Sequence, residues 1–341
     1  MKIARSKFSP GNISIVYLYV VGFAAFWIWI PELWINWTTH KSVLNIDMST
    51  KAIVAVGLVA PLLTNTFDLS IAGVISLSSV MVSWLQTEYH WNMWPAMALT
   101  LVVALACGAA NALLVVGIRI NSFIATLASG AVITAIAEYT SGGVQVQVPN
   151  TFKNVAKSQM FWGIQAKVGY LVVIALVLWY VLEHTPAGRY MHATGDGPDA
   201  ARLAGVQTKR YVVLSLLICS VVAGFAGIVS AAQTAGNATA GGPYLLPAFA
   251  ACFLGSTQFL GRFNVGGTVA SIFVLASLVA GLQRSIENQG IRRILDSLFF
   301  GLALIAAVGL SKLLERYRER TAFRMRALEI NRISEPSGHG H

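Results

Sequence analysis

Long apolar stretches alternate with short polar ones along this chain. No Asp, Glu, Lys or Arg occurs from Phe8 to Pro31, Leu69 to Thr87, Tyr89 to Ile118, Ile120 to Ala137, Tyr211 to Gly261 or Phe263 to Gln283. A helix needs roughly 20 mostly apolar residues to cross a bilayer; each stretch approaches that, and the fifth is long enough to cross twice. Shorter apolar runs at Ala52 to Thr64, Val168 to Leu182 and Ser297 to Leu310 complete the set. The pattern predicts an all-α, polytopic membrane protein with about ten transmembrane helices, since helices satisfy their own backbone in lipid. Two places interrupt it. The polar run Thr64-Asn-Thr-Phe-Asp-Leu-Ser70 predicts a broken or re-entrant corner near 64–70, and Gly236-Asn-Ala-Thr-Ala-Gly-Gly-Pro-Tyr244 predicts another near 236–247.

Composition narrows the class. Of 341 residues, 56% are hydrophobic and 11% charged, with a mean hydropathy of +0.65. Soluble domains carry about 25% charged residues, which excludes a water-soluble globular enzyme. Ten spans would take about 200 residues and leave no room for a folded extramembrane domain, so residues 1–341 read as one membrane domain. The uncharged run after Lys2, Arg5 and Lys7 is 24 residues long, too long for a signal-peptide core, and predicts a retained first span.

The charges themselves are unevenly placed. With the N-terminus inside and ten spans alternating, segments 1–13, 117–123, 185–211, 261–266 and 312–341 face the cytoplasm and hold 16 of the 24 Lys and Arg. That bias predicts both termini inside a plasma (inner) membrane. It also assigns the net charge of +10 to a basic face against anionic lipid rather than to a nucleic-acid partner. The tail, 312–341, reads as a solvated extension of the last helix. Cys107, Cys219 and Cys252 each lie in an apolar run with no C-x-x-C spacing, and read as small buried hydrophobes.

Small residues at helical spacing, Ala104, Gly108 and Ala112, then Gly224, Gly227 and Ala231, predict close helix packing. Among the few polar groups, Asp68 or Ser70 would cap a helix starting at Ile71 by accepting its free amide hydrogens. The same corner would alternatively be a hinge or line a solute path. Arg292 and Asp296 are spaced for an i,i+4 ion pair. Glu138, near a span end, is the remaining intramembrane acid.

The longest cytoplasmic segment, 185–211, specifies a short helix. Pro198 and Asp199 suit a first turn, Ala200, Ala201, Arg202, Leu203 and Ala204 propagate it, and Gly205 stops it. Six or seven residues do not stay helical alone in water. Either the ends of neighbouring spans hold this helix, or it docks into a partner's groove with Leu203 as the apolar anchor.

Four further stretches stand in order over roughly residues 50 to 310: Phe67-Asp-Leu-Ser-Ile-Ala-Gly73; Gly188-Arg-Tyr-Met-His-Ala-Thr-Gly-Asp196 with Ala200-Ala-Arg-Leu-Ala-Gly-Val206; Ala223-Gly-Phe-Ala-Gly227; and Phe253-Leu-Gly-Ser-Thr257 through Gly261-Arg-Phe-Asn-Val-Gly-Gly-Thr268. Together they resemble the motifs of the ribose-type permeases of ATP-binding-cassette (ABC) transporters, within the branched-chain amino acid/ribose permease superfamily, and the second is similar to that family's coupling loop. The resemblance implies a permease subunit of an importer for a simple sugar or polyol. It further implies a separate cytoplasmic ATPase, an extracytoplasmic sugar-binding protein, and a second permease subunit, identical or a close paralogue. Asp199 to Gly205 would then seat in the ATPase. The chain lacks G-x-x-x-x-G-K-[ST], so no cofactor is expected on it, and ATP and Mg belong to the partner. Two departures stand out. Asn65-Thr66 replace a pair of glycines at the family corner, and Tyr244-Leu-Leu-Pro247 replaces Tyr-Glu-Leu-Asp.

A neutral sugar offers hydrogen bonds and C–H faces, so Asn65, Asn111, Asn121, Tyr244 and Trp84 join Asp68 and Ser70 as candidates for the path or hinge. Each asparagine would equally serve as a helix cap or interhelical hydrogen bond. Trp27, Trp29, Trp34, Trp37, Trp91 and Trp94 predict an interfacial aromatic belt. An ion-coupled secondary transporter or channel is the alternative class, with only Asp68, Glu138 and Asp296 near mid-span to serve it. No nucleophile, base and orienting group fall together, so no catalytic residue is expected.

Overall fold

The computed structural model describes residues 14–34, 36–258, 262–292 and 294–309. Expectations for the N-terminal segment 1–13 and the tail 312–341 lie outside them. The chain is all-α. We number the principal helices α1 (Ser14–Trp29), α2 (Ser49–Leu63), α3 (Ile71–Thr87), α4 (Met93–Ala112), α5 (Ser122–Ser141), α6 (Ala166–Trp179), α7 (Pro186–Asp196), α8 (Pro198–Leu203), α9 (Thr208–Gln233), α10 (Gly242–Gln258), α11 (Val265–Ser285) and α12 (Ile294–Gly309). All but α7 and α8 fall on the predicted apolar segments. Five described helices are long and apolar enough to span alone: Met93–Gly117, Ser122–Ser141, Ala166–His184, Thr208–Gln233 and Val265–Ser285. Trp37–Ile46 and Ser49–Leu63, bent by 47°, make a sixth if read as one broken span. Among the described residues the only β pairings are the isolated bridges Val146–Gly236 and Gln159–Gln165.

Helix α9 runs through the middle, against α2, α3 and α4. The small-residue faces predicted from the sequence meet there. A Cβ on Gly224 would fall 2.4 Å from the Ala104 Cβ, and one on Gly108 2.7 Å from the Ser220 hydroxyl. With lipid as apolar as leucine, such close approach replaces the hydrophobic drive that packs soluble bundles. The helix Asn150–Lys157, which hydropathy did not reveal, buries Phe152 in a cluster with Val82, Leu85, Ile228 and Val229.

The second break, predicted near 236–247, falls at 234–241 and lies along α3, while Gly242 to Pro247 already belong to α10. Ser79 donates to the Asn237 carbonyl and accepts from its amide, both at 3.0 Å, and Gly241 donates to the Ser76 hydroxyl at 3.0 Å. A Cβ at Gly241 would meet the Ala72 carbonyl oxygen at 1.8 Å, so glycine is needed for this approach. Irregular backbone at membrane depth is tolerated when protein groups satisfy it, and serines of α3 do so here.

The expected Arg292–Asp296 pair does not form. Lys51 of α2 reaches both Asp296 oxygens at 2.9 Å and lies 4.8 Å from the centre of the Phe300 ring, while Arg292 turns to the Ile286 carbonyl. The tertiary partner on α2 takes the carboxylate, binding α12 to the bundle. Of the six candidate belt tryptophans, Trp34 departs from the pattern: it is buried beside Phe26, 5.0 Å between ring centres, and His40, 5.3 Å. Trp27, Trp29, Trp37, Trp91 and Trp94 are exposed, as a belt requires.

Candidate functional site

The corner between α2 and α3 begins at a proline. Pro61 sits in the last turn of α2, and its carbonyl accepts from the amides of Thr64 at 3.0 Å and Thr66 at 2.9 Å. Between them Asn65 adopts φ 55°, the left-handed region that Gly and Asn tolerate best. This accounts for Asn where the related motif has glycine.

Beyond the turn, the chain is held by a buried polar network. Asp68 is fully buried, and its Oδ1 accepts from the Ser70 amide at 3.0 Å and the Ser70 hydroxyl at 2.6 Å. Neither residue caps α3 as expected. Asp68 takes the Ser70 amide instead, and Ser70 caps by backbone geometry without a side-chain bond. Asn111 of α4 donates to the Ser70 hydroxyl at 2.7 Å and accepts from Ser129 of α5. On the same helix Ser122 accepts from the Phe67 amide at 3.2 Å and Thr126 from the Leu69 amide at 3.0 Å. Thr64 and Ser215 of α9 are 3.1 Å apart, hydroxyl to hydroxyl. The corner therefore joins α2, α3, α4, α5 and α9, and the Cys219 thiol lies beside Asp68. Among the described residues no Lys or Arg pairs with that carboxyl.

The 185–211 segment forms two helices rather than one. Pro186 opens α7 and Pro198 opens α8 after Gly197, each at a first-turn position where its missing N–H costs nothing. Gly205, at φ 84°, ends the second. Helix α7 is anchored: Met191 is buried, and a Cβ at Gly195 would lie 2.1 Å from the Leu63 carbonyl oxygen. That approach sets α7 directly on the end of α2, at the corner. Helix α8 carries Ala201 inward, an Asp199–Arg202 ion pair at 2.6 Å on its surface, and Leu203 at its tip, 90% exposed. Asp196 meets Arg262 at 3.5 Å. Burial and then the nearby Arg262 guanidinium hold the His192 imidazole below its ordinary range, against the opposite pull of Asp196 and Glu183.

The structure brings Asp68, Ser70 and Asn111 together. Asn65 stands apart, lining a cleft between the corner and the loop helices. Asn121 is a helix cap, accepting from the Phe123 amide at 3.0 Å, and Tyr244 lies 3.3 Å from the Ser230 hydroxyl. Trp84 packs on Tyr89, their ring centres 4.8 Å apart. Ser122, Thr126 and Ser129 were not anticipated. Their helical spacing in an otherwise apolar run was the available signal, since it places three hydroxyls on one face.

The family described as branched-chain amino acid transport system / permease component matches residues 44–308. The ribose import permease protein RbsC of Escherichia coli (strain K12) is 30% identical over 256 residues, covering 72% of this chain and 79% of that protein. The L-arabinose transport system permease protein AraH of the same strain is 27% identical over 320 residues, covering 93% and 95%. The fructose import permease protein FrcC of Rhizobium meliloti is 28% identical over 320 residues, covering 89% and 86%. No solved structure matches the chain. An anchored pair of loop helices on a multi-pass all-α bundle agrees with these similarities, and the chain belongs to the branched-chain amino acid transport system / permease component family.

Proposed function

We propose that this chain is the membrane-spanning subunit of an ATP-driven importer for a simple sugar or related polyol, and carries no catalytic residue itself. ATP and Mg act on a separate cytoplasmic ATPase, an extracytoplasmic binding protein delivers the solute, and a second permease subunit completes the path. The chain is one permease domain in the inner membrane, with both termini and the basic tail 312–341 on the cytoplasmic side. The segment 185–211 is its coupling loop, with Asp199 to Gly205 seated in the ATPase. Asp68, Ser70 and Asn111 hold the hinge beside it.

The observation that carries this reading is Leu203. A leucine 90% exposed at the tip of a six-residue helix is left uncovered among the described residues, while α7 behind it is fixed to α2. An apolar knob on a fixed base transmits force when a partner's groove closes on it. Differential contact in the two states of that groove is what would bias the bundle. Burying one leucine is worth about 1.5–3 kcal/mol. Leu203→Asp should therefore weaken ATPase binding by roughly tenfold to a hundredfold, read as loss of co-purification, while the permease keeps its gel-filtration profile. Undiminished co-purification would overturn the docking role.

A further inference from the structure

We propose that the inner end of the bundle holds a binding cleft for a phosphate-bearing anion, set between the corner and the coupling helices. The cleft has a volume of about 580 Å³, and three cations line it from separate elements: Arg119 between α4 and α5, Arg202 on α8 and Lys209 at the start of α9. No Asp or Glu lines it. Of the loop's two acids, Asp196 is engaged with Arg262 at 3.5 Å, and Asp199 pairs with Arg202 of the cleft at 2.6 Å. Arg119 and Lys209 thus stand without an acid in ion-pair distance among the described residues.

Other donors converge on the same space. Thr208 and Lys209 open the 26-residue α9, whose preceding residue Gln207 supplies no side-chain cap. Cations converging from three elements suit a phosphate, which carries more than one charged oxygen. A neutral sugar makes no use of this charge, and a cation is repelled by it. Phosphate can arrive from either of two phases. Beside Arg119, Ile118, Ile120, Phe123 and Ile124 expose apolar side chains, a surface on which the acyl chains of an anionic phospholipid would lie with the headgroup in the cleft. From the water side, a soluble phosphate would enter directly. In both cases the anion ties Arg119 on the bundle to Arg202 and Lys209 on the loop, fixing the coupling helices against the corner.

The test uses the full-length permease and the double variant Arg119→Gln, Lys209→Gln, neither change touching α8. Inorganic phosphate is titrated against chloride at equal ionic strength, with the thermal-unfolding midpoint as readout. Separately, phosphatidylglycerol and phosphatidylcholine are offered, and retained lipid is counted by native mass spectrometry. Wild type should bind one of the phosphate probes, and the double variant should bind it about tenfold more weakly or worse, two surface cations having been removed. A response to inorganic phosphate identifies a soluble ligand, and selective phosphatidylglycerol retention without that response identifies a headgroup. The charge-conserving pair Arg119→Lys, Lys209→Arg should keep binding. Equal behaviour of wild type and the Gln pair, or equal loss in both pairs, overturns the proposal.

Discussion

The corner at 64–70 and the loop at 185–211 contain the same local device in opposite surroundings. In each, an aspartate closes a bond of 2.6 Å on a residue a few positions later, Asp68 on Ser70 and Asp199 on Arg202. The corner pair is fully buried, whereas the loop side chains are 85% and 70% exposed. An exposed ion pair contributes about 0–1 kcal/mol, while a buried polar group left without its partner costs about 1–3 kcal/mol. Equal distances therefore carry unequal weight. The corner is fixed by bonds the protein makes to itself, and α8 is tethered at its base with its apolar tip, Leu203, exposed.

The sharpest way to break this comparison is Asn111→Leu. The change removes the bond from Asn111 to the buried Ser70 hydroxyl, which keeps Asp68, and the acceptor of Ser129, which keeps the Thr126 carbonyl at 3.2 Å. The expected loss is about 2 kcal/mol, read as a lower thermal-unfolding midpoint of the purified permease. Asp199→Asn, which removes the exposed pair, should stay within about 0.5 kcal/mol of wild type. Similar shifts for the two would mean that burial does not separate the regions.

How far each region could be read from the sequence follows from the same contrast. The apolar stretches foretold ten of the principal helices because hydropathy over some twenty residues is a local signal, and lipid leaves the backbone few alternatives. Pro198, the alanines and Gly205 foretold α8 because caps and stops act within one turn. Helix α7 was missed: it is held by packing of Met191 and Gly195 against distant segments rather than by a pattern of its own. The corner was located but its wiring was not. Asp68 faces Ser70 nearby, yet the residues that complete the network, Asn111, Thr126 and Ser129, come from about 40 to 60 positions away. Arg292 and Asp296 show the opposite failure, in which correct local spacing lost to Lys51, 245 residues distant in sequence.

A smaller effect tests whether the corner's backbone also sets it apart. Asn65 holds φ 55° without help from a buried side chain. Asn65→Gly should be tolerated within about 0.5 kcal/mol, since glycine enters that region freely. Asn65→Val should cost about 1–2 kcal/mol, because a β-branched residue is strained there. The two midpoints, compared with wild type, decide the matter: if Val is as well tolerated as Gly, the left-handed turn is not what the corner requires. The Asn65→Gly, Thr66→Gly pair additionally removes the Thr66 hydroxyl, 3.1 Å from that of Thr64. It should therefore fall between the single variants.

The smallest effect belongs to the loop. His192 on α7 is held below its ordinary range by burial first and by Arg262 second, with Asp196 and Glu183 opposing. Its folded pKa thus lies under the value of about 6.5 expected when the loop is detached or unfolded. The detached loop binds the proton more readily, so the docked arrangement gains nothing from acid. Its full stability is present above about pH 6.5 and declines as pH falls toward the folded value. Hydrogen exchange of residues 186–203, corrected for intrinsic rate and referenced to α2 amides, should accelerate from about pH 7 to about pH 5.5. His192→Gln should flatten that dependence. If the variant keeps the full pH response, the His192 imidazole is not the acid-sensitive element of the loop.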